Sequence, residues 1–518
     1  MNAFRRLTGQ TPLLLGAVTM GTALVAPAFA QDTAILDAIA DALAPEMSFT
    51  YGAVTETADG VTVADAVIAP AAADPEDGRL TVGRMVFAGV DDEAARGLLP
   101  HIDALTLQGV VFEPKGDRGV ARFATIALND VGLPTGLFAY LLDDTGDDDE
   151  EAQEATDDAD DEPTGLSDEE ILALIRGVTL GSAEISDMDT LEPRDGGDRQ
   201  VLQVATVRLD GLDEGWVEQV RLDGVRVEDL GILSIDSIVL DRLDLIALTQ
   251  MAIAVRVGEI QDEESFTLDP GLDRFAILGV TVSDQTGTDL ATLEALSIDE
   301  IQRTNDEVTQ GRLALDHLAM PASSLDMQEI EAAFADMRYD HLDLSMEFRG
   351  IIDPEGRALA ITPLSLTLDG MASLAVTLRF GNFNLDELVA QVRQMLDTGV
   401  PAIPLTTLAG LEIQVVDASL TERLIDFLAD GSGRARGAVI DDAVAQLEAA
   451  IASLSIAGPI KDALLDAVRS FLTNPGTLTV SATPAAPVPV VEAGLGLMTS
   501  PDATLERLGV QVVAEPSP

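Results

Sequence analysis

The chain has 518 residues, 47% of them apolar and none of them cysteine, so it can bury sizeable cores but cannot staple them with disulfides or build thiolate metal sites. Thirty basic residues against 90 acidic ones give a net charge of −60, which excludes nucleic acid as a partner because binding it needs a basic footprint. Aromatic residues make up only 4%, too few for the girdles of a membrane barrel, and the single Trp216 leaves no set of stacking platforms for sugars.

Residues 1–30 read as a secretory signal peptide: Arg5 and Arg6, an uncharged run from Leu13 to Ala26, then Ala28-Phe29-Ala30 at the cleavage point. The run is shorter than the roughly 20 apolar residues that span a bilayer. The expectation is a periplasmic protein with no transmembrane span in the mature chain, whose 488 residues divide into a few domains.

Residues 31–142 form an N-terminal β-rich region opened by a helix over 33–44, with Ile35, Ile39 and Leu43 at helical spacing. Residues 143–166 are an acidic disordered linker or loop. Within 143–163, thirteen of 21 residues are acidic and none is basic, so the tract repels itself and buries nothing. An EF-hand does not fit there, because Asp148 stands where the loop's tight turn needs glycine; weak divalent cation binding is what remains. Ser167 and Glu170 then form a capping box for a helix carrying Ile171, Leu172 and Leu174.

Residues 167–383 are a β-repeat region, though the repeat begins earlier. The pattern is apolar, any, apolar, polar, any, apolar. It occurs at 105–110, 126–131, 207–212, 220–225, 238–243, 313–318 and 366–371, with irregular spacings such as 21, 13 and 18 residues. Apolar residues two apart share one face of a strand, but the third comes three positions later, so a turn or bulge is expected between them. Leu222-Asp223-Gly224-Val225 reads as a two-residue hairpin. Asp369-Gly370 reads as another, with Leu364, Leu366 and Leu368 on one arm facing Leu374, Val376 and Leu378 on the other. These six residues are the candidate apolar groove.

Residues 384–518 read as a C-terminal helical α/β region. A stripe of Leu388, Val392 and Leu396 comes first; helices over 420–428, 439–456 and 459–472 and strands over 477–482 and 509–513 follow. The expected fold class is α+β, mainly β: a long antiparallel meander or curved sheet with helical caps and a C-terminal α/β unit.

Catalytic signatures are missing. No Gly-x-Ser-x-Gly elbow, Ser-x-x-Lys pair, HExxH or phosphate-binding loop occurs. His317 and His341 each follow an aspartate, but His317 fills a slot that is glycine in other copies, so it reads as a turn residue rather than a metal ligand. No catalytic, cofactor or metal residue is assigned.

The repeated aliphatic-Asp-aliphatic segments, together with the export signal, resemble AsmA-like and related periplasmic β-repeat proteins of Gram-negative bacteria over residues 47–383. That resemblance implies a curved sheet with an apolar inner face, suited to lipid handling or envelope maintenance. The expectation is therefore a non-catalytic exported envelope protein, a scaffold or a binder of apolar chains, with lipid or an envelope protein as partner. An acidic cation-binding or adhesion-type protein is the second expectation, and a hydrolase built from distant carboxylates the third.

Overall fold

In a computed structural model the described residues are Leu36 and 47–132, 168–250, 271–384 and 406–517, with short breaks at 58–59, 71–77, 92–100, 114–118, 193–198, 229–230, 305–306, 325–327 and 354. The signal segment, the acidic tract, Ser167 of the expected capping box, the stripe at 388–396 and all of the first expected helix except Leu36 lie outside them. The chain is mainly β and antiparallel, and it divides into two compact units, Met1–Phe275 and Ala276–Pro518.

The first unit holds strands β1 (Met47–Thr50), β2 (Val54–Thr57), β3 (Gly60–Pro70), β4 (Arg79–Asp91), β5 (His101–Glu113) and β6 (Val120–Gly132). Helix α1 (Asp168–Gly177) precedes β7 (Thr179–Glu192), β8 (Arg199–Asp213), β9 (Trp216–Glu228) and β10 (Ile232–Asp244). From β3 to β10 each strand pairs antiparallel with the next, while β1 and β2 share one edge of β3.

Every one of these eight long strands contains one residue in the left-handed region: Asp65, Gly89, Gly109, Asp130, Asp187, Gly211, Gly224 and Arg242. They fall in two rows across the sheet. Asp65, Gly109, Asp187 and Gly224 lie in one row with Gly83, Ala124 and Ala205. Gly89, Asp130, Gly211 and Arg242 lie in the other with Asp103, Gly181 and Glu218. The rows are six residues apart on every strand from β4 to β10, or about 20 Å at strand rise.

The register runs through these rows without a shift. Gln108 faces Thr125 and Val110 faces Phe123, with Gly109 and Ala124 between them, so no residue is inserted. The expected turn or two-against-one bulge is instead a left-handed kink in a continuous ladder. Burial follows the kinks: in β6 the buried apolar residues are Ala121, Phe123, Ile126, Leu128 and Val131, in steps of two, three, two and three. Alternation thus resets at each row, and this is the physical content of the sequence repeat. The hairpin expected at Leu222–Val225 is overturned on the same ground. Strand β9 runs straight through, and Val220 and Val225 both pair along β8 and β10.

Glycine has a steric reason at these positions. A Cβ on Gly224 would sit 2.8 Å from the Ala205 Cβ, and one on Gly89 would sit 1.8 Å from the Asp103 carboxylate, in addition to the cost of positive φ. The result is a closed apolar layer: Met85, Phe87, Ile102, Leu105 and Leu128 are fully buried. Trp216 opens β9, and the Arg242 guanidinium sits 5.0 Å from its ring centroid.

The second unit continues with β11 (Arg274–Ser283, which starts two residues before the boundary), β12 (Asp289–Thr304), β13 (Glu307–Pro321), α2 (Gln328–Asp336), β14 (His341–Asp353), β15 (Ala358–Leu368), β16 (Ala372–Gly381) and β17 (Thr407–Asp417). Helices α3 (Leu420–Ser432), α4 (Arg436–Ser453) and α5 (Gly458–Thr473) come next. The chain closes with β18 (Gly476–Ala482), β19 (Val488–Pro489), α6 (Val490–Thr499), α7 (Pro501–Arg507) and β20 (Val510–Pro516). Strands β12 to β18 pair in sequence, β20 pairs β18, and β19 pairs β17. Between β18 and β20 the chain turns at Pro484–Pro487, forms the short β19 and then builds α6 and α7.

Left-handed residues recur at Gly279, Glu300 and His317 in β11, β12 and β13, and none occurs in β14 to β17. Two-against-one bulges occur here, one of them at His317 itself. Asp316 and His317 together face Ser345, and Thr362 and Pro363 together face Arg349. Asp369-Gly370 joins β15 to β16 as a hairpin, with Leu366 opposite Leu374.

Candidate apolar binding face

The six groove residues lie on β15 and β16, in the middle of the run of paired strands in the second unit. Antiparallel partners share a face, so the register extends the hairpin's aliphatic side across its neighbours. One row runs Phe348, Leu364, Val376, Ile413, Val480 and Val512 from β14 to β20, and Leu313 and Ile298 continue it onto β13 and β12. A second runs Met346, Leu366, Leu374, Val415, Leu478 and Ala514, with Leu315 and Leu296 beyond. A third, shorter row joins Leu293, Leu318, Leu344 and Leu368. Eight strands at about 4.8 Å make each long row about 34 Å wide.

The apolar layer that is closed in the first unit is open here. No side chain of β14, β15 or β16 is buried. Leu364 and Leu366 are 39% exposed and Leu374 is 37% exposed. One end is sealed. Leu378 lies opposite Leu411, which with Ala482 and Val510 packs against Val488, Ala493 and Leu508, so that α6 and α7 cover this corner. Of the six candidates, then, Leu364, Leu366 and Leu374 have the most open positions, Leu368 and Val376 are half-buried, and Leu378 borders the sealed corner.

The sheet's reverse side is polar. Arg312 bridges Asp299 at 3.3 Å and Glu347 at 3.2 Å, and Arg349 pairs with Glu300 at 3.0 Å. Near the Asp369-Gly370 hairpin the rim carries Glu294, Asp343 and Asp369 around His317. His317 Nδ1 lies 3.1 Å from Asp343, its N–H donates to Ser345 Oγ, and the Asp369 N–H donates to the Asp343 carbonyl. The hydrogen bond to Asp343, then the charges of Asp343, Glu294 and Asp369, raise the imidazole above its ordinary 6.5.

Helix α3 grips the hairpin. The Met371 carbonyl accepts from the N–H groups of Ala418, Ser419 and Leu420, Ser419 Oγ donates to the Gly370 carbonyl at 2.6 Å, and the Asp417 carboxylate caps the helix by accepting from the Thr421 N–H. Arg423 stacks 4.3 Å from the Tyr339 ring centroid and donates to the Met337 and Arg338 carbonyls. The hairpin thus has a fixed tip even though its strands are half-exposed.

The sequence missed the extent of this face. The hairpin's alternation was readable, but β12, β13, β17, β18 and β20 join it only through pairings between distant segments. His317, read from the sequence as a turn residue, bonds Asp343 on the next strand and not the adjacent Asp316. Among the described residues no group of three or more His, Asp or Glu side chains is placed to hold a metal ion. No helix among them is long and apolar enough to cross a membrane.

A family model described only as an uncharacterized protein matches residues 365–515, from β15 to β20. No curated protein matches the chain.

Proposed function

We propose that this is a non-catalytic exported envelope protein that binds apolar chains, lipid above all, on the open face of β12–β17; at β18 and β20 helix α5 packs against the sheet. The observation that carries the reading is the half-exposed pair of aliphatic rows running across the six strands β12–β17. Contiguous apolar patches of more than a few hundred Å² on a soluble protein mark interaction sites. In this reading the sheet curves around its apolar side, the helices after β17 are caps on a C-terminal α/β unit, and the signal segment delivers the chain to the periplasm.

Magnitude narrows the ligand. Covering a leucine that is two-fifths exposed yields about 1 kcal/mol. Leu364, Leu366 and Leu374 together give about 3 kcal/mol, well short of the roughly 8 kcal/mol of a micromolar complex. A useful ligand therefore covers both rows, which calls for a long chain or several chains side by side.

The test is purification of the full chain from its native envelope, extraction with organic solvent and mass spectrometry of the extract. Stoichiometric lipid with wild type and its loss with Leu366→Glu supports the reading. Lipid-free protein that also binds no added apolar probe overturns it.

A further inference from the structure

We infer that the free edge of β20 pairs antiparallel with β20 of a second copy of the chain, about a two-fold axis at Val513. This is independent of the apolar-chain reading. Among the described residues β20 pairs with β18 alone, through an unbroken register from Val510–Ala482 to Pro516–Gly476. One step beyond that ladder the Ser517 N–H donates to the Pro475 carbonyl. In an antiparallel ladder, hydrogen-bonded pairs alternate with pairs whose backbone groups point away. The N–H and C=O groups of Gln511, Val513 and Glu515 therefore turn to β18, and those of Val510, Val512 and Ala514 turn outwards. Helix α5 packs against β20, whose half-buried side chains are Val510, Val512 and Ala514. The helix thus takes their face and leaves Gln511, Val513 and Glu515 exposed, Val513 by 48%.

Unpaired edges invite other strands, and proteins blunt them with short strands, lysine, proline or bulges. The first unit does so: β1 and β2, four residues each, take the outer edge of β3. Over residues 510–514, Val-Gln-Val-Val-Ala, β20 has no charge, no proline and no bulge. Outward N–H and C=O groups call for an extended strand, and complementarity names the second copy. With the axis at Val513, that side chain meets its own counterpart in the close, non-hydrogen-bonded pairing. Val512 and Ala514 exchange hydrogen bonds with Ala514 and Val512 of the second copy, and the Val510 N–H reaches the carbonyl of its Pro516. Gln511 then stands opposite Glu515 of the second copy, an amide donor against a carboxylate, while the two Glu515 side chains lie about 14 Å apart. Pro516 has no N–H, so the pairing ends there. One short strand buries far less than the roughly 1,600 Å² of a standard interface, so the dimer is a weak one.

The experiment is sedimentation of the full chain from about 1 to about 100 μM, at ~0.01, ~0.1 and ~1 M salt. The expected result is a concentration-dependent dimer at ~1 M salt that is at least about tenfold weaker at ~0.01 M, where two chains of net charge −60 repel over ~30 Å. Val512→Pro removes an outward N–H, keeps the ladder to β18 and abolishes the dimer. At ~0.1 M salt Gln511→Lys sets a cation opposite Glu515 of the second copy and strengthens the dimer about threefold or more, and Gln511→Glu weakens it by a similar factor. Circular dichroism matching wild type establishes that each variant is folded; if Val512→Pro is not, the opposite responses of the two exposed Gln511 variants decide. A monomer at every concentration and salt, a dimer unchanged in folded Val512→Pro, or one that both Gln511 variants leave unmoved overturns the inference.

Discussion

His317 and Asp343 lie 26 residues apart in sequence, yet the imidazole Nδ1 sits 3.1 Å from the carboxylate Oδ2 across a two-against-one bulge. The bulge turns His317 to a left-handed φ of 51° and aims it at β14. A kink that costs backbone energy is here tied to a charge-assisted contact.

The pH dependence of that contact has a definite sign. The hydrogen bond to Asp343 raises the imidazole above 6.5, so its contribution to stability is fully present below that value and is lost as pH rises through the raised one. Nuclear magnetic resonance titration should place His317 above 6.5, and Asp343→Asn should bring it down. A His317 titration at or below 6.5 in the wild type contradicts the geometry.

Left-handed positions differ in what they tolerate. Gly224→Val puts a branched side chain at φ 64°, with the new Cβ 2.8 Å from Ala205, and should cost about 2 kcal/mol or more. Asp187→Gly, at φ 50° in the same row, should stay within about 0.5 kcal/mol, since aspartate already tolerates that region. Denaturant midpoints of the two variants give the comparison.

Closed and open parts of the apolar layer should respond oppositely to substitution. Leu128→Ala removes a fully buried side chain and should cost about 2–5 kcal/mol. Leu366→Ala should cost about 1 kcal/mol or less, because the side chain is already two-fifths exposed. Urea unfolding followed separately for each unit distinguishes them; a loss of several kcal/mol at Leu366 means the face is part of a packed core.

Arg312 holds two carboxylates on the polar side of β12–β14. Arg312→Ala leaves Asp299 and Glu347 without their shared cation and should destabilise by about 1 kcal/mol, less in high salt. Adding Glu347→Ala should recover part of the loss in a double-mutant cycle.

Much of the local structure was legible. The paired apolar residues at 366–368 and 374–378 mark the hairpin, and the helices after Leu420 follow their 3.6-residue stripes. The slot filled by Gly109, Asp130, Gly211, Gly224 and His317 was recognised as a special backbone position, since those residue types tolerate left-handed φ or occur where glycine does elsewhere. What the slot does was misread at Gly224. A lone left-handed residue and a hairpin turn draw on the same amino acids, and only the partner strands distinguish them.

The sequence alone determined the charge balance, the lack of cysteine, the β-rich character and the spacing of the kinks, because all of these are set by residue type and local sterics. Tertiary structure decided that the kinks line up in two rows, that Asp343 and not Asp316 meets His317, and that aliphatic positions from eight strands merge into one surface, left half uncovered on β12–β17. Those outcomes depend on register between segments far apart in the chain, and a one-residue slip would turn each of those side chains to the other face.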